Sequence, residues 1–285
     1  MQVASNQIVY GDRNKAAPWY TPQVKVSPAA RQMLEEYAGI PPDEVDDHVL
    51  TMRDKIWEVF PYPCIGDFHF LDFNLAQLRG YRQIIAALQE PEARHLEIAC
   101  CVGQDLRRLV HDGVDSAKTV AVELEAGYVE AGYELFRDRG TLRTRFVIAD
   151  LLEDGGAGEL AGLEGSFDTA HMGLCLHLWN RDEQLAALRR VVRMMRRKPG
   201  AVIVGTAVGH VDGIEQPAIG NKPTLRHNVE TWEKLWADVS EQTGTRWALQ
   251  TDMTQDLGER RDWRKKPGWW GDHMRFLVFQ ATRIE

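Results

Sequence analysis

From residue 93 onward, short apolar runs alternate with segments whose apolar residues recur at helical spacing. HLEIAC, KTVAVEL, RFVIADL, FDTAHMGL and GAVIVGTAV read as strands, and residues 103–112, 126–138 and 181–197 read as helices between them. That rhythm predicts a parallel sheet with helices on both faces. Beyond residue 210 the chain turns irregular, with Gly213, Pro217, Gly220 and Pro223. A helix is predicted over about 229–243, then strands at WALQTDM and MRFLVFQATRI, joined by the Trp-rich, charged stretch 255–273. The last strand is long and apolar, and is expected to insert beside the parallel ones.

The first third follows a different pattern. Residues 1–27 show little periodicity and read as an extended arm, in which Trp19-Tyr20-Thr21-Pro22 is either an anchor onto the body or a lid over a pocket. Ser27-Pro28 is an N-cap followed by proline at the first helical position. Leu34, Tyr37 and Ala38 continue that helix until Pro41-Pro42 breaks it. Asp43 is expected to cap the next helix, which places Val45, Val49, Met52, Ile56 and Phe60 on one face. Residues 61–74 form an aromatic loop, YPCIGDFHFLDF, and residues 75–89 a further amphipathic helix. The expected division is an arm and helical cap over 1–92 and an α/β core over 93–285.

Composition narrows the function. Lys+Arg number 34 against Asp+Glu 42 in 285 residues, a net charge of -8, which argues against a general nucleic-acid binder. No stretch of about 18 apolar residues suggests a membrane span, and the N-terminus lacks an apolar leader, so a cytoplasmic protein is expected. The basic run from Arg189 to Lys198 reads as the solvated face and C-terminal turn of a helix. Cys64, Cys100, Cys101 and Cys175 form no C-x-x-C pair and have no nearby histidine at zinc spacing. No metal site is expected, and the thiols read as small packing residues.

The strand ends carry the chemistry. The first reads Leu96-Glu97-Ile98-Ala99-Cys100-Cys101-Val102-Gly103, an acid followed by small residues that enter a helix. The second ends at Glu123, about twenty residues on, where a carboxylate can accept ribose hydroxyls. The third ends Ile148-Ala149-Asp150-Leu151, and Asp150 can accept from an adenine amino group. Any one acid here is usually a turn residue, but three at one edge suit an adenosine. The turn is not G-x-G-x-x-G, and no G-K-[ST] follows, so a pyrophosphate has no cradle. S-adenosylmethionine, a cationic adenosine without phosphate, fits that combination.

EIACCVGQDLRRLVHDG resembles motif I of class I S-adenosylmethionine-dependent methyltransferases, D/E-h-G-x-G-x-G, with Ala99 and Cys101 standing where glycine is usual. More narrowly, WYTP, IPPDEV, YPCIGDFHFLDF, VGQDLRRLV, GYELFRDR, HLW, RHN and the Trp-rich helix before TGTRW resemble the fungal methyltransferases of meroterpenoid and related natural-product clusters. The resemblance implies a Rossmann-like, mainly parallel seven-stranded sheet with an antiparallel last strand. It implies that Glu97 and the Ala99 backbone hold the methionine ammonium and that Gly103 passes under the cofactor. Glu123 would bind the ribose, Leu124 and Leu151 would flank the adenine, and Asp150 would take its amino group. Met172 and Gly173 would line the methyl-transfer side. It points to O-methylation of a carboxylate on a farnesylated polyketide acid, and it leans toward a homodimer.

On the acceptor side, His177 follows the fourth strand and is either a base or a packing residue. Trp179 could wall the pocket. Arg226 could pair with a substrate carboxylate, with His227 beside it, while Asn228 reads as a helix cap. Tyr20 and Phe68 would suit an apolar acceptor. The competing readings are hydroxyl, N- or C-methylation of another natural product, and a methyltransferase-like regulator without turnover.

Overall fold

The computed structural model describes residues 11–24, 26–153, 158–217, 222–257 and 271–285. The segment joining the last two strands lies in large part outside these residues. Eight α-helices and nine strands are described. In the N-terminal third, α1 (Pro28–Gln32) runs into a π-turn at Met33–Tyr37, followed by α2 (Val45–Val59), α3 (Pro63–Gly66) and α4 (Tyr81–Ala87). The core then runs β1 (His95–Ile98), α5 (Gln104–His111), β2 (Thr119–Glu123), α6 (Ala126–Leu135), β3 (Arg145–Ile148), β4 (Thr169–Gly173), α7 (Arg181–Met194) and β5 (Val202–His210). A hairpin of β6 (Ile214–Pro217) and β7 (Pro223–Arg226) precedes α8 (Val229–Thr243), β8 (Trp247–Thr254) and β9 (Met274–Arg283).

The main sheet has the order β3-β2-β1-β4-β5-β9-β8. The first five strands pair in parallel, and β9 inserts antiparallel between β5 and β8 as expected, with His210 opposite Met274. Parallel strands covered on both faces must be apolar throughout, and β5 is buried at all nine positions. Ala201 and Ile203 join the core under α7 and α8, with Trp232, Trp236 and Phe279. Val202 and Val204 face the other way, against Leu78, Tyr81 and Ile84 of the α4 region. The N-terminal helices form a separate cluster from Ala17 to Phe73, closed by Tyr128, Ala131 and Leu135 of α6.

Several local expectations change. Asp43 does not cap α2; Glu44 occupies the N-cap, with no side-chain hydrogen bond. The helix after β4 ends at Met194, so Arg196 and Lys198 lie beyond it and pair with Asp168 at the foot of the sheet. The β6–β7 hairpin was not anticipated, because its prolines mask the strand pattern. The described part of the arm is anchored: Trp19 is buried, and Thr21 N–H donates to the Gly66 carbonyl. The Ser27 and Asn228 caps form as read, the latter as a capping box with Thr231.

Candidate active site

The turn after β1 is built on a left-handed backbone. Ala99, Cys101 and Gly103 have φ of 53°, 52° and 64°. These alternate positions are where glycine costs least, so Ala99 and Cys101 hold a conformation that L-residues disfavour by about 1–2 kcal/mol each. The turn is braced from beneath. Arg107, fully buried, donates from Nη1 to the Val102 carbonyl at 2.6 Å and more loosely to that of Gly103 at 3.3 Å. Its other nitrogens form a bidentate pair with Asp138 at 2.7 and 2.9 Å, and Asp138 also accepts from Tyr37 in the cap. Gly132 of α6 lies so close that a Cβ there would meet the Val102 oxygen at 2.4 Å.

The three strand-end acids sit at one edge in different states. Glu123 accepts from Cys101 N–H at 2.8 Å on one oxygen and from Leu124 and Glu125 N–H at 2.8 and 3.1 Å on the other. Burial raises its pKa against those three donors. A carboxylate offers about four acceptor positions, so about one remains for a ribose hydroxyl. Half-buried Asp150 accepts from Leu152 N–H at 2.8 Å. Leu124 beside them is 56% exposed, an apolar side chain at a strand end that a flat ring could cover.

Glu97 is more enclosed than expected. One oxygen lies 2.6 Å from His171 Nδ1 and the other 3.3 Å from His95 Nε2, whose Nδ1 meets Thr169 Oγ1 at 2.9 Å. Burial raises the Glu97 pKa and lowers those of both histidines. Asp105, in the first turn of α5, completes the group: one ligand atom each from Glu97, Asp105 and His171 lie within 4.8 Å of one another. Burial pushes the Asp105 carboxyl up to about 7, although Leu75 N–H donates to it at 2.9 Å. His171 Nε2 is buried with no hydrogen-bond partner. It faces Gly173, where an added Cβ would lie 2.8 Å from His171 Cε1 and 3.2 Å from Nε2.

These features fit S-adenosylmethionine: acids for a cation and a ribose, an orphaned acceptor beneath a glycine, and an uncovered leucine. Of the residues read from sequence, Glu97, Ala99, Gly103, Glu123, Leu124, Asp150 and Gly173 gather around the C-terminal ends of β1 to β4. Met172 does not: its side chain is fully buried in the main core, on the opposite side from Gly173. Leu151 is likewise buried in that core. His171, Asp105, Arg107 and Asp138 escaped the sequence reading. A lone histidine inside a strand and a doublet of arginines on a helix look like packing and solvated charge until both faces of the strand and helix are known.

Among the residues expected near an acceptor, half-buried His177 sits with its Nδ1 3.4 Å from Val208 N. Its pKa is pushed down to about 3, first by burial and then by the neighbouring Arg226 cation. Trp179 is half-buried against the core, and its carbonyl accepts from Leu225 N–H and Gln184 Nε2. His227 is a core residue rather than a pocket residue. It is 3% exposed, with Nε2 2.6 Å from Gln184 and Nδ1 3.0 Å from Thr231. Phe68 has no exposed surface and packs under Arg53 within the N-terminal core. Tyr20 donates to Asp54 at 2.6 Å and stacks beneath Arg53, which makes it an anchor of the arm. Burial raises the pKa of all four thiols, so they stay protonated and packing remains their role.

A sequence-family model described as "Meroterpenoid methyltransferase N-terminal domain" matches residues 19–71, and one described as "Methyltransferase domain" matches residues 96–198. Over 246 residues the chain is 39% identical to O-methyltransferase phiE of a fungal species, spanning 85% of this chain and 81% of that protein. It is 33% identical over 240 residues to the Asnovolin E/Chermesin D methyltransferase nvfJ of Aspergillus novofumigatus, spanning 82% and 86%. The structure of a SAM-dependent methyltransferase from Leishmania major superposes with a TM-score of 0.52 at 12% identity, covering 88% of this chain and 90% of that one. This last likeness speaks to the fold alone.

Proposed function

Because the chain belongs to the fungal secondary-metabolite O-methyltransferases, which use S-adenosylmethionine and carry the meroterpenoid methyltransferase N-terminal domain, we propose that it esterifies the carboxylate of an apolar, meroterpenoid-type acid. When bound, S-adenosylmethionine supplies a methyl group on a sulfonium, which needs no acid activation. The chain's own residues then have to align the acceptor and exclude water. In this reading Glu97 and the Ala99 backbone receive the methionine end, Gly103 lets the turn pass beneath, and Glu123 takes the ribose. Leu124 covers one face of the adenine and Asp150 meets its amino group. Residues 1–92 act as a cap over the core of 93–285, with α4 fixed on the sheet.

The observation that carries the acceptor class is the lowered pKa of His177, set by burial and by the neighbouring Arg226 cation. A histidine whose pKa lies near 3 is neutral at pH 7 and a poor base for a hydroxyl. A carboxylic acid is already ionised there and needs no base. The arginine can steady the carboxylate without taking its nucleophilic lone pair out of line, and Trp179 supplies apolar wall. A farnesylated polyketide acid meets these requirements, and a neutral ester is cheaper to bury in later apolar chemistry.

The test is turnover of apolar terpenoid acids and matched phenols with methyl-labelled cofactor. The expected product is a base-labile methyl ester. Arg226→Ala should raise KM for the acid at least tenfold, while His177→Phe should keep kcat within a few-fold. A methyl ether as the main product, or loss of turnover in His177→Phe, would favour the hydroxyl-methylating alternative instead.

A further inference from the structure

The buried imidazole of His171 has one nitrogen accounted for and one not. When Glu97 is a carboxylate, the 2.6 Å contact requires Nδ1 to carry the proton and donate it. A neutral imidazole with its proton on Nδ1 presents a bare lone pair at Nε2. That atom is buried and meets no donor, a state that native interiors rarely leave unfilled. Gly173 lies directly over it, and any side chain there would strike the ring. The Asp105 carboxyl is part of the same group of ligand atoms within 4.8 Å. The arrangement is thus two carboxyls and an unfilled acceptor beneath the strand-end glycine, a receptor for a small group rich in N–H donors.

We propose that His171 is a further cofactor-binding residue, whose Nε2 accepts a hydrogen bond from the ammonium of the methionine end while Nδ1 holds Glu97 in place. The inference rests on the placement of that ammonium at the Glu97 end of the site. Burial keeps His171 neutral, which an acceptor role requires. Asp105 supplies a second carboxyl to the same ammonium, so the cation meets acceptors from β1, β4 and α5. Glycine at 173 follows from the need to bring the cofactor's backbone-sized end against the ring.

The experiment compares binding of S-adenosylhomocysteine and 5′-methylthioadenosine, which shares the adenine, ribose and sulfur but lacks the amino-acid end. His171→Asn retains a donor near Nδ1 and loses the Nε2 acceptor; His171→Gln places a carbonyl oxygen near Nε2. A hydrogen bond from a charged donor corresponds to about ten- to hundredfold in affinity. His171→Asn should therefore weaken S-adenosylhomocysteine at least tenfold and methylthioadenosine less than twofold, while His171→Gln stays within about threefold of wild type for both. Equal losses for the two ligands would assign His171 a purely structural role and overturn the proposal. So would an unchanged affinity in His171→Asn, or His171→Gln binding no better than His171→Asn. If wild type bound neither ligand, the cofactor site itself would be misplaced, a different failure from any of these.

Discussion

Removing the guanidinium beneath the motif I turn tests how the cofactor loop is held. In Arg107→Met the helix face stays filled, but Asp138 loses both bonds of its bidentate partner, at 2.7 and 2.9 Å, while only 4% exposed. The Val102 and Gly103 carbonyls lose the same donor. Breaking one side of a buried pair costs about 3–5 kcal/mol, because the remaining charge is left uncompensated. Against a total stability of about 5–15 kcal/mol that is a large loss. In a chain of this size it lowers Tm by roughly 5–8 °C. Adding Asp138→Asn removes the stranded charge and leaves an oxygen for the Tyr37 hydroxyl, so the double variant should recover about 2 kcal/mol. Cofactor affinity should remain at least tenfold weak in both variants, since neither braces the turn. Thermal melts with and without S-adenosylhomocysteine, together with calorimetric titration, read the two effects separately. A single variant within about 1 kcal/mol of wild type, or a double variant no more stable than the single, would refute the bracing argument.

Three further outcomes are expected. Gly132→Ala should weaken cofactor binding and lower Tm, because its Cβ would press within 2.4 Å of the Val102 oxygen and push the turn outward; unchanged calorimetry would show that the contact relaxes freely. Cys101→Gly should fall within about 0.5 kcal/mol of wild type, as relief of the left-handed strain offsets the extra unfolded-state entropy. Cys101→Val should cost about 2 kcal/mol or more, since β-branching resists positive φ; equal denaturation midpoints for the two would remove backbone conformation as the cause. Asp105 has its folded pKa raised to about 7 from 3.8. Its stabilising contribution is therefore complete below about pH 4 and is lost as pH rises to about 7. Asp105→Asn should thus gain about 2–3 kcal/mol relative to wild type between pH 5 and pH 8 in urea melts; a pH-independent difference would place the titration elsewhere.

The sequence by itself determined the α/β order, the parallel core, a long apolar last strand and the three acids at the strand ends. Each is written in short-range pattern: apolar runs of strand length, helical spacing between them, and an acid where each run stops. The cofactor class followed from the same short segments, since the turn lacks a pyrophosphate cradle and resembles motif I. The tertiary structure decided which of those residues face the site. Met172 and His171 are neighbours on one buried strand whose two faces are both covered, so periodicity could not say that Met172 enters the core and His171 turns to Glu97. Arg107 sits in a charged doublet that reads as solvated, and only the approach of α6 and Asp138 from 31 residues away makes it a buried brace. His177 could be picked out after the fourth strand, but its charge state depends on burial and on Arg226, which a long stretch of chain separates from it. Ala99 and Cys101 show the same divide. Their small size is visible in the sequence, while the positive φ that makes glycine the usual occupant is imposed by the turn that the fold closes there.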